Sequence, residues 1–284
     1  MTPEATALLT DDRPTGLPVV ARTRAELAAA LAALPGPRRL VPTMGALHAG
    51  HASLLAAAGP GAILSIFVNP LQFGPAEDFD RYPRTFESDL EVAAANQVAV
   101  VYAPTVDEMY PTGTPQITVN AGPLGELYEG AARPGHFNGV LTVVARLFGQ
   151  IQPDVAYFGQ KDAQQLALIR GMVRDLDMPV RIVEVRTVRE ADGLALSSRN
   201  RYLDPEQRRA AITISRALAT GNIDDAQRVL AAEPRLQVDY CALVDSETFG
   251  PVTGNLGRLI IAAYAGSTRL IDNEVVDVAV IQEN

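Results

Sequence analysis

Lysine occurs once in this 284-residue chain, at Lys161; arginine supplies all the other basic residues, 23 of 24. Arg presents a planar fork, whereas Lys is a compact point charge on a slim stem. So strong a bias toward Arg implies that Lys161 stands where Arg does not serve. It lies in Tyr157-Phe158-Gly159-Gln160-Lys161-Asp162, where a strand-like run meets Gly and a helix begins. A cation there opposes the helix dipole, so the placement favours an anionic ligand. The three histidines, His48, His51 and His136, also fall in Gly-containing segments. His48 and His51 close the run Pro42-Thr43-Met44-Gly45-Ala46-Leu47-His48-Ala49-Gly50-His51. Three apart, they share one side of a helix start near Gly50. Small residues at 49 and 50 let a ligand approach the backbone, and free N–H groups at a helix N-terminus attract phosphate. Two imidazoles there can donate to phosphoryl oxygens and to a departing pyrophosphate, while Lys161 offsets charge that builds in the transition state. A zinc site lacks a third ligand at suitable spacing. Two ordinary surface histidines are the plain alternative.

Two further segments carry chemistry. Leu196-Ser197-Ser198-Arg199-Asn200-Arg201 offers two hydroxyls and an Arg that can clasp triphosphate oxygens from a second side. Phe67-Val68-Asn69-Pro70-Leu71-Gln72-Phe73-Gly74 follows a strand-like run and presents the neutral amides of Asn69 and Gln72, suited to hydroxyls and carboxylates; ordinary turn chemistry would explain it as well. No Gly-x4-Gly-Lys-Ser/Thr loop is present. The His-x-Gly-His pattern is instead characteristic of nucleotidyl-transfer enzymes that attack an α-phosphate.

The elements that must position these residues can be read from apolar runs and their breaks. Helices are predicted over residues 24–34, 86–96, 138–151 and 162–176, the last with Asp162 as N-cap. Strands are predicted over 39–43, 61–68, 98–102, 155–158 and 180–185. Residues 1 to about 20 read as a loose tail. Strands alternating with helices imply a parallel sheet with crossover helices and ligands at the carboxyl ends of its strands. After about residue 187 the texture changes: helices from Asp204-Pro205 and at 224–232, then strands at 238–244, 258–264 and 268–271. The expected fold is therefore α/β, a parallel sheet with a smaller α+β C-terminal domain. The expected division is 1–186 and 187–284.

Composition excludes other classes. A net charge of −9 argues against a nucleic-acid partner, though a local pocket can still be positive. The single cysteine, Cys241, rules out an internal disulfide and a multi-Cys zinc site, and its strand-like setting suggests a buried structural thiol. No apolar run reaches 18 residues, and residues 1–12 lack the basic start and apolar core of a signal peptide. A cytoplasmic protein without a membrane partner is expected.

The ordered motifs between Pro42 and Leu203 resemble the pantothenate synthetase (pantoate–β-alanine ligase) family. They are Pro-Thr-Met-Gly-Ala-Leu-His-x-Gly-His, Phe-Val-Asn-Pro-x-Gln-Phe, Tyr-Pro-Arg-Thr, Arg-Pro-Gly-His-Phe-x-Gly-Val, Phe-Gly-x-Lys-Asp-x-Gln-Gln and Ser-Ser-Arg-Asn-x-Tyr-Leu. The resemblance implies a Rossmann-like N-terminal domain of the His-x-Gly-His nucleotidyltransferase type, a smaller C-terminal domain acting as a lid, a homodimer and a reaction in which ATP, pantoate and β-alanine give pantothenate, AMP and pyrophosphate through a pantoyl-adenylate. It implies that Met44, Gly45, Ala46, Leu47, His48, Ala49, Gly50 and His51 border ATP, with His51 at the position of the proton donor. Gly159, Gln160, Lys161, Asp162, Val188, Leu196, Ser197, Ser198 and Arg199 would complete that site. Gln72 and Gln165 would hold pantoate, with Gln72 also near β-alanine; Asn69 and His136 are secondary candidates. Ser88-Asp89 stands where many members carry an acidic pair linked to Mg²⁺, so only Asp89 carries over, weakly. Gln160 stands where Glu often occurs. Residues 74–88 are a candidate cover for the site. Another His-x-Gly-His nucleotidyltransferase and a non-catalytic nucleotide sensor are the alternative readings.

Overall fold

A computed structural model describes residues 16–74 and 79–278. Strand β1 (Val19–Ala21) and helix α1 (Arg24–Ala32) lead into β2 (Arg39–Thr43), α2 (Ala49–Ala58) and β3 (Ile63–Ile66). Helix α3 (Phe86–Ala95), β4 (Val100–Tyr102), the short helices α4 (Val106–Met109) and α5 (Glu129–Ala132), and the long α6 (His136–Ile151) follow. Then come β5 (Val155–Gly159), α7 (Ala163–Asp175) and β6 (Arg181–Val185). The remainder holds α8 (Pro205–Leu218), α9 (Ile223–Ala231), β7 (Leu236–Asp245), β8 (Leu256–Ala265) and β9 (Thr268–Asp277).

The first six strands form one sheet in the order β1-β4-β3-β2-β5-β6, with neighbouring strands parallel. Near-continuous apolar runs such as Ile63–Ile66 and Val155–Gly159 suit it, because helices cover both faces. On one face α1, α6 and α7 bury Leu31, Leu147, Ile151 and Ile169. On the other, α2 and α3 bury Leu54, Leu55 and Ala93. From β2 the chain proceeds toward β3 and β4 on one side, and it later returns to place β5 on the other. The order therefore reverses between β2 and β5, and a crevice opens where their carboxyl ends diverge.

The last three strands form an antiparallel sheet, β7-β8-β9. Helices α8 and α9 pack on one of its faces through Ile214, Leu218 and Leu230. The opposite face lies against α7, with Ile260 and Val244 meeting Ala163 and Ala167. Asp204 caps α8 by accepting from the Glu206 and Gln207 amides, with Pro205 at the first helical position.

Three expectations need correction. Val19–Ala21 is a strand paired with β4, although residues 1–15 of the expected tail lie outside the described residues. A three-residue edge strand is too short to show a period. Asp162 stands at the start of α7 but makes no side-chain cap bond, because a tight turn over Gln160–Asp162 separates strand from helix. Cys241 is only half-buried: it lies in β7 at the margin of the smaller core.

Candidate active site

The turn after β2 is built around a buried carboxylate. Gly45 has φ +83°, a conformation that favours glycine, and a Cβ there would come within 2.9 Å of Asp89 Oδ2. Ala46 follows at φ 50°. The Ala46 and Leu47 amides donate to Asp89 Oδ2 and Oδ1 at 3.0 and 2.8 Å, and Thr85 Oγ1 donates to Oδ1. Asp89 is 1 % exposed and is not among the residues lining the cleft described below. Its carried-over role as a Mg²⁺ ligand is thereby replaced by a structural one. Its two oxygens hold the turn that precedes the histidines.

His48 is the N-cap of α2. Its Nδ1 accepts from the Gly50 amide at 3.1 Å, and its own amide donates to His51 Nδ1 at 3.3 Å. The rings lie 4.2 Å apart between centroids. With both Nδ1 atoms accepting, each neutral ring carries its proton on Nε2 and offers it as a donor. Burial, followed by the neighbouring His48, pushes His51 down to about 3. Burial also lowers His48, helped by the charges of Lys161 and Arg201. Both rings are thus neutral donors at neutral pH in this state. Of the free backbone N–H groups expected at this helix start, that of Gly50 is taken by His48, and in the turn before it the amides of Gly45, Ala46, Leu47 and His48 each donate to a side chain.

Across the switch point, β5 ends at Gly159 and the Gln160–Asp162 turn presents Lys161, whose side chain is 20 % exposed. Lys161 does have an anionic neighbour, Asp162 Oδ1 at 3.5 Å, a long contact that leaves its charge available. Burial would raise the Asp162 carboxyl, but the charges of Lys161 and Arg199 outweigh it and hold it below the usual carboxylate range. Gln160 does not line the cleft; its Oε1 accepts from the amide of Thr187, which does.

A third wall comes from the segment between β6 and α8. Leu196 N–H donates to the Val188 carbonyl, and Arg189 bridges Ala195, so the chain doubles back and sets Val188 beside Leu196. Ser197 caps the Ser198–Tyr202 turn by accepting from the Arg199 amide.

The fourth wall carries the amides. Tyr110 Oη donates to Asn69 Oδ1 at 2.8 Å, so Asn69 Nδ2 faces Gln72 Oε1 and the Gly139 carbonyl, both at 3.1 Å. Burial holds the Tyr110 phenol protonated, well above its ordinary value. Gln72 then directs Nε2 toward Met44 Sδ at 3.2 Å. Its amide is a donor at the cleft because Asn69 already occupies its oxygen. His136 Nδ1 lies 2.9 Å from the Gln72 carbonyl, and Arg133 Nη1 lies 3.0 Å from His136 Nε2. A neutral His136 accepting from Arg133 therefore donates to that carbonyl and steadies the same turn.

These walls enclose a cleft of about 330 Å³. Met44, Ala46, His48, Gly50, His51, Gln72, His136, Gly159, Lys161, Asp162, Gln165, Val188 and Leu196 to Arg199 line it. Gly45, Leu47, Ala49, Gln160 and Asn69 do not; they shape or support the lining. Sequence reasoning missed Arg133, Arg186 and the apolar wall of Val140, Val143, Val144 and Leu147 on α6. The helical period of α6 was readable, but its direction toward the cleft was not. Of the expected cover, residues 75–78 lie outside the described residues; Phe79 and Tyr82 set their rings edge-on to Phe73, and Tyr82 and Pro83 line the cleft. Asp162 is the only carboxylate lining the cleft among the described residues. That donor set does not make a protein cage for Mg²⁺.

Fold and cleft together define a class: an α/β protein whose cleft, lined by histidines, a lysine and hydroxyls, opens where the strand order reverses. A family model described as pantoate-beta-alanine ligase matches residues 19–275, and the chain belongs to that family. It is 54% identical to a pantothenate synthetase of Nocardioides sp., over 90% of this chain and 84% of that one. A crystal structure of pantothenate synthetase from Thermus thermophilus aligns with TM-score 0.82 at 47% identity, covering 90% of this chain and 98% of the other. A pantoate-beta-alanine ligase from Francisella tularensis, described as complexed with "Beta-gamma ATP and Beta-alanine", aligns with TM-score 0.77 at 32% identity, covering 91% and 97%.

Proposed function

We propose that this chain condenses pantoate with β-alanine, using ATP and passing through a pantoyl-adenylate, with the switch-point cleft as the reaction chamber. The observation that carries this reading is the pairing of two neutral imidazoles and the lone lysine, on opposite sides of one crevice, with the oriented amide of Gln72. In the first step a pantoate carboxylate oxygen attacks the α-phosphorus, a P–O bond forms, and the bond to the departing pyrophosphate breaks. Lys161, the Nε2–H groups of His48 and His51, the hydroxyls of Ser197 and Ser198, and Arg199 stabilise the charge on the phosphoryl oxygens and the leaving group. The arriving triphosphate raises both histidine pKa values, so His51 becomes able to deliver a proton only once substrate is bound. The Gln72 amide and Gln165 hold the polar end of pantoate, while Val140 and Val143 receive its methyl groups.

In the second step the β-alanine amine attacks the acyl carbon, the bond to the AMP phosphate oxygen breaks, and the nitrogen loses a proton. The adenylate is sensitive to water, and the aromatic cluster of Phe73, Phe79 and Tyr82 stands where a cover would close. Mg²⁺ accompanying ATP would offset charge on the phosphates, and Asp162 is the cleft carboxylate that would stand nearest to hold it. A homodimer and a cytoplasmic location are proposed from the family resemblance; no helix among the described residues is long and apolar enough to cross a membrane. Pantoate-dependent exchange of labelled pyrophosphate into ATP tests the reading. Exchange without pantoate would point to another nucleotidyl transfer, and no exchange to a nucleotide sensor.

A further inference from the structure

The turn that carries Lys161 has little support of its own. It spans three residues, neither Gly159 before it nor Asp162 at its end provides a side-chain cap, and a Cβ built on Gly159 would meet nothing within 4 Å. Its anchors come from elsewhere. Asn273 on β9, 2 % exposed, donates through Nδ2 to the Gln160 and Lys161 carbonyls, both at 3.0 Å. One side-chain amide of the second domain thus straddles two successive carbonyls of the turn.

Asn273 is itself held. Its Oδ1 accepts from Arg258 Nη1 at 2.6 Å, and Arg258, 3 % exposed on β8, also donates to Glu184 Oε1 at 3.0 Å. Asn273 pairs with Ile260, two residues from Arg258, so both side chains share the face of the second sheet that meets α7. Glu184 lies on β6 and pairs with Arg170 of α7 at 3.1 Å. The contacts close a ring: α7, β6, β8, β9, and back to the turn from which α7 starts. Arg258 Nε is buried without a partner, but the other polar atoms named here hold one another, and losing the Asn273 amide would leave Arg258 Nη1 and two carbonyls of the turn without these bonds.

We propose that Asn273 is a positioning residue for Lys161, through which the C-terminal domain sets the lysine's place in the first half-reaction. This rests on the reading of Lys161 as a stabiliser of adenylate formation. With the amide removed, the turn is free to shift, and a misplacement of about 1 Å costs on the order of 10²-fold in rate.

Because Lys161 is the only lysine, protein labelled with [1-¹³C]lysine gives one lysine carbonyl signal, belonging to the group that accepts from Asn273. Asn273→Asp, which keeps the shape, and Asn273→Ser are compared with wild type. The expected result is a moved carbonyl signal in both. Pantoate-dependent pyrophosphate exchange drops about 10- to 100-fold, while aminolysis of supplied pantoyl-adenylate is retained. In a Lys161→Ala background the same changes add little, because the two residues act as one unit. An unmoved carbonyl signal, an equal loss in both half-reactions, or full additivity with Lys161→Ala would overturn the assignment. Failure of both variants to fold would make Asn273 a purely structural residue and would overturn it as well. If Lys161→Ala leaves exchange intact, the reading of Lys161 fails instead, and the carbonyl signal still reports on the contact.

Discussion

Gly139→Ala tests whether α6 holds the turn that presents Gln72. Gly139 lies where α6 passes over residues 71 and 72, and its carbonyl accepts from Asn69. A Cβ at this position would overlap the Leu71 carbonyl group and come within 2.7 Å of the Gln72 nitrogen. Ordinary contact begins at 3.4 Å, so the Gln72 backbone must retreat by at least about 0.7 Å, and the Leu71 carbonyl by more. Both partners are backbone, so no rotamer change relieves the overlap. Overpacking of this kind costs about 1–3 kcal/mol, which lowers the melting temperature by several degrees in a chain of this size. The functional effect is larger and selective. A displacement near 1 Å of a substrate-holding group costs on the order of 10²-fold, so kcat/KM for pantoate should fall by about that factor. KM for ATP should change little, because the histidine and lysine turns rise from other strands. Steady-state kinetics in each substrate, beside thermal melts, provide the check. If kcat/KM for pantoate stays within about twofold of wild type, the contact between α6 and the turn does not place Gln72.

Tyr110→Phe removes only the hydroxyl that fixes the Asn69 amide; KM for pantoate should rise several-fold, with ATP kinetics unchanged, and an unaltered pantoate KM would break the proposed chain from Tyr110 to Gln72. Lys161→Arg should not restore the activity lost in Lys161→Ala, since a planar fork does not fit where a slim stem emerges between Asp162 and the histidines; recovery to near wild-type exchange would refute that reading. The partly buried His51 gives an acid limb to stability. The unfolded chain takes up a proton below pH 6.5, the folded one only near pH 3, so stability is full above 6.5 and falls as pH drops toward 3. The loss amounts to a few kcal/mol across that window, and His51→Gln should flatten the slope of urea midpoint against pH between 4 and 6.5; an unchanged slope would place the proton elsewhere.

The layers of the fold were legible because parallel strands and their covering helices leave local signatures. The strands at 39–43 and 180–185 and the helices at 86–96 and 162–176 match the observed elements to within a residue or two. The strand-to-helix junctions bearing His48, His51 and Lys161 followed from Gly spacing alone. What could not be read were partners far apart along the chain. Tyr110 meets Asn69 across 41 residues, and Asn273 meets Lys161 across 112. Asp89 shows the same limit from the other side: the family resemblance suggested a cation, while its direction in the packed fold turns it onto the Ala46 and Leu47 amides. Side-chain type is written in the sequence, but the vector of each side chain is a property of the packed layers.

The saturated amides of the histidine turn set how the site senses its ligand. In a phosphate cradle made of backbone N–H groups, the donors neither titrate nor swing, so their attraction is constant in pH and fixed in space. Here the amides of Gly45 to His48 and of Gly50 are already satisfied by side chains. Under the proposed function, recognition on this side of the cleft falls to imidazole rings, whose charge would change when a polyanion arrives. The free protein would then carry less positive charge in the cleft than the complex. Binding draws protons in from solvent, so affinity for the triphosphate should strengthen as the medium becomes mildly acidic, in the same range in which the fold weakens.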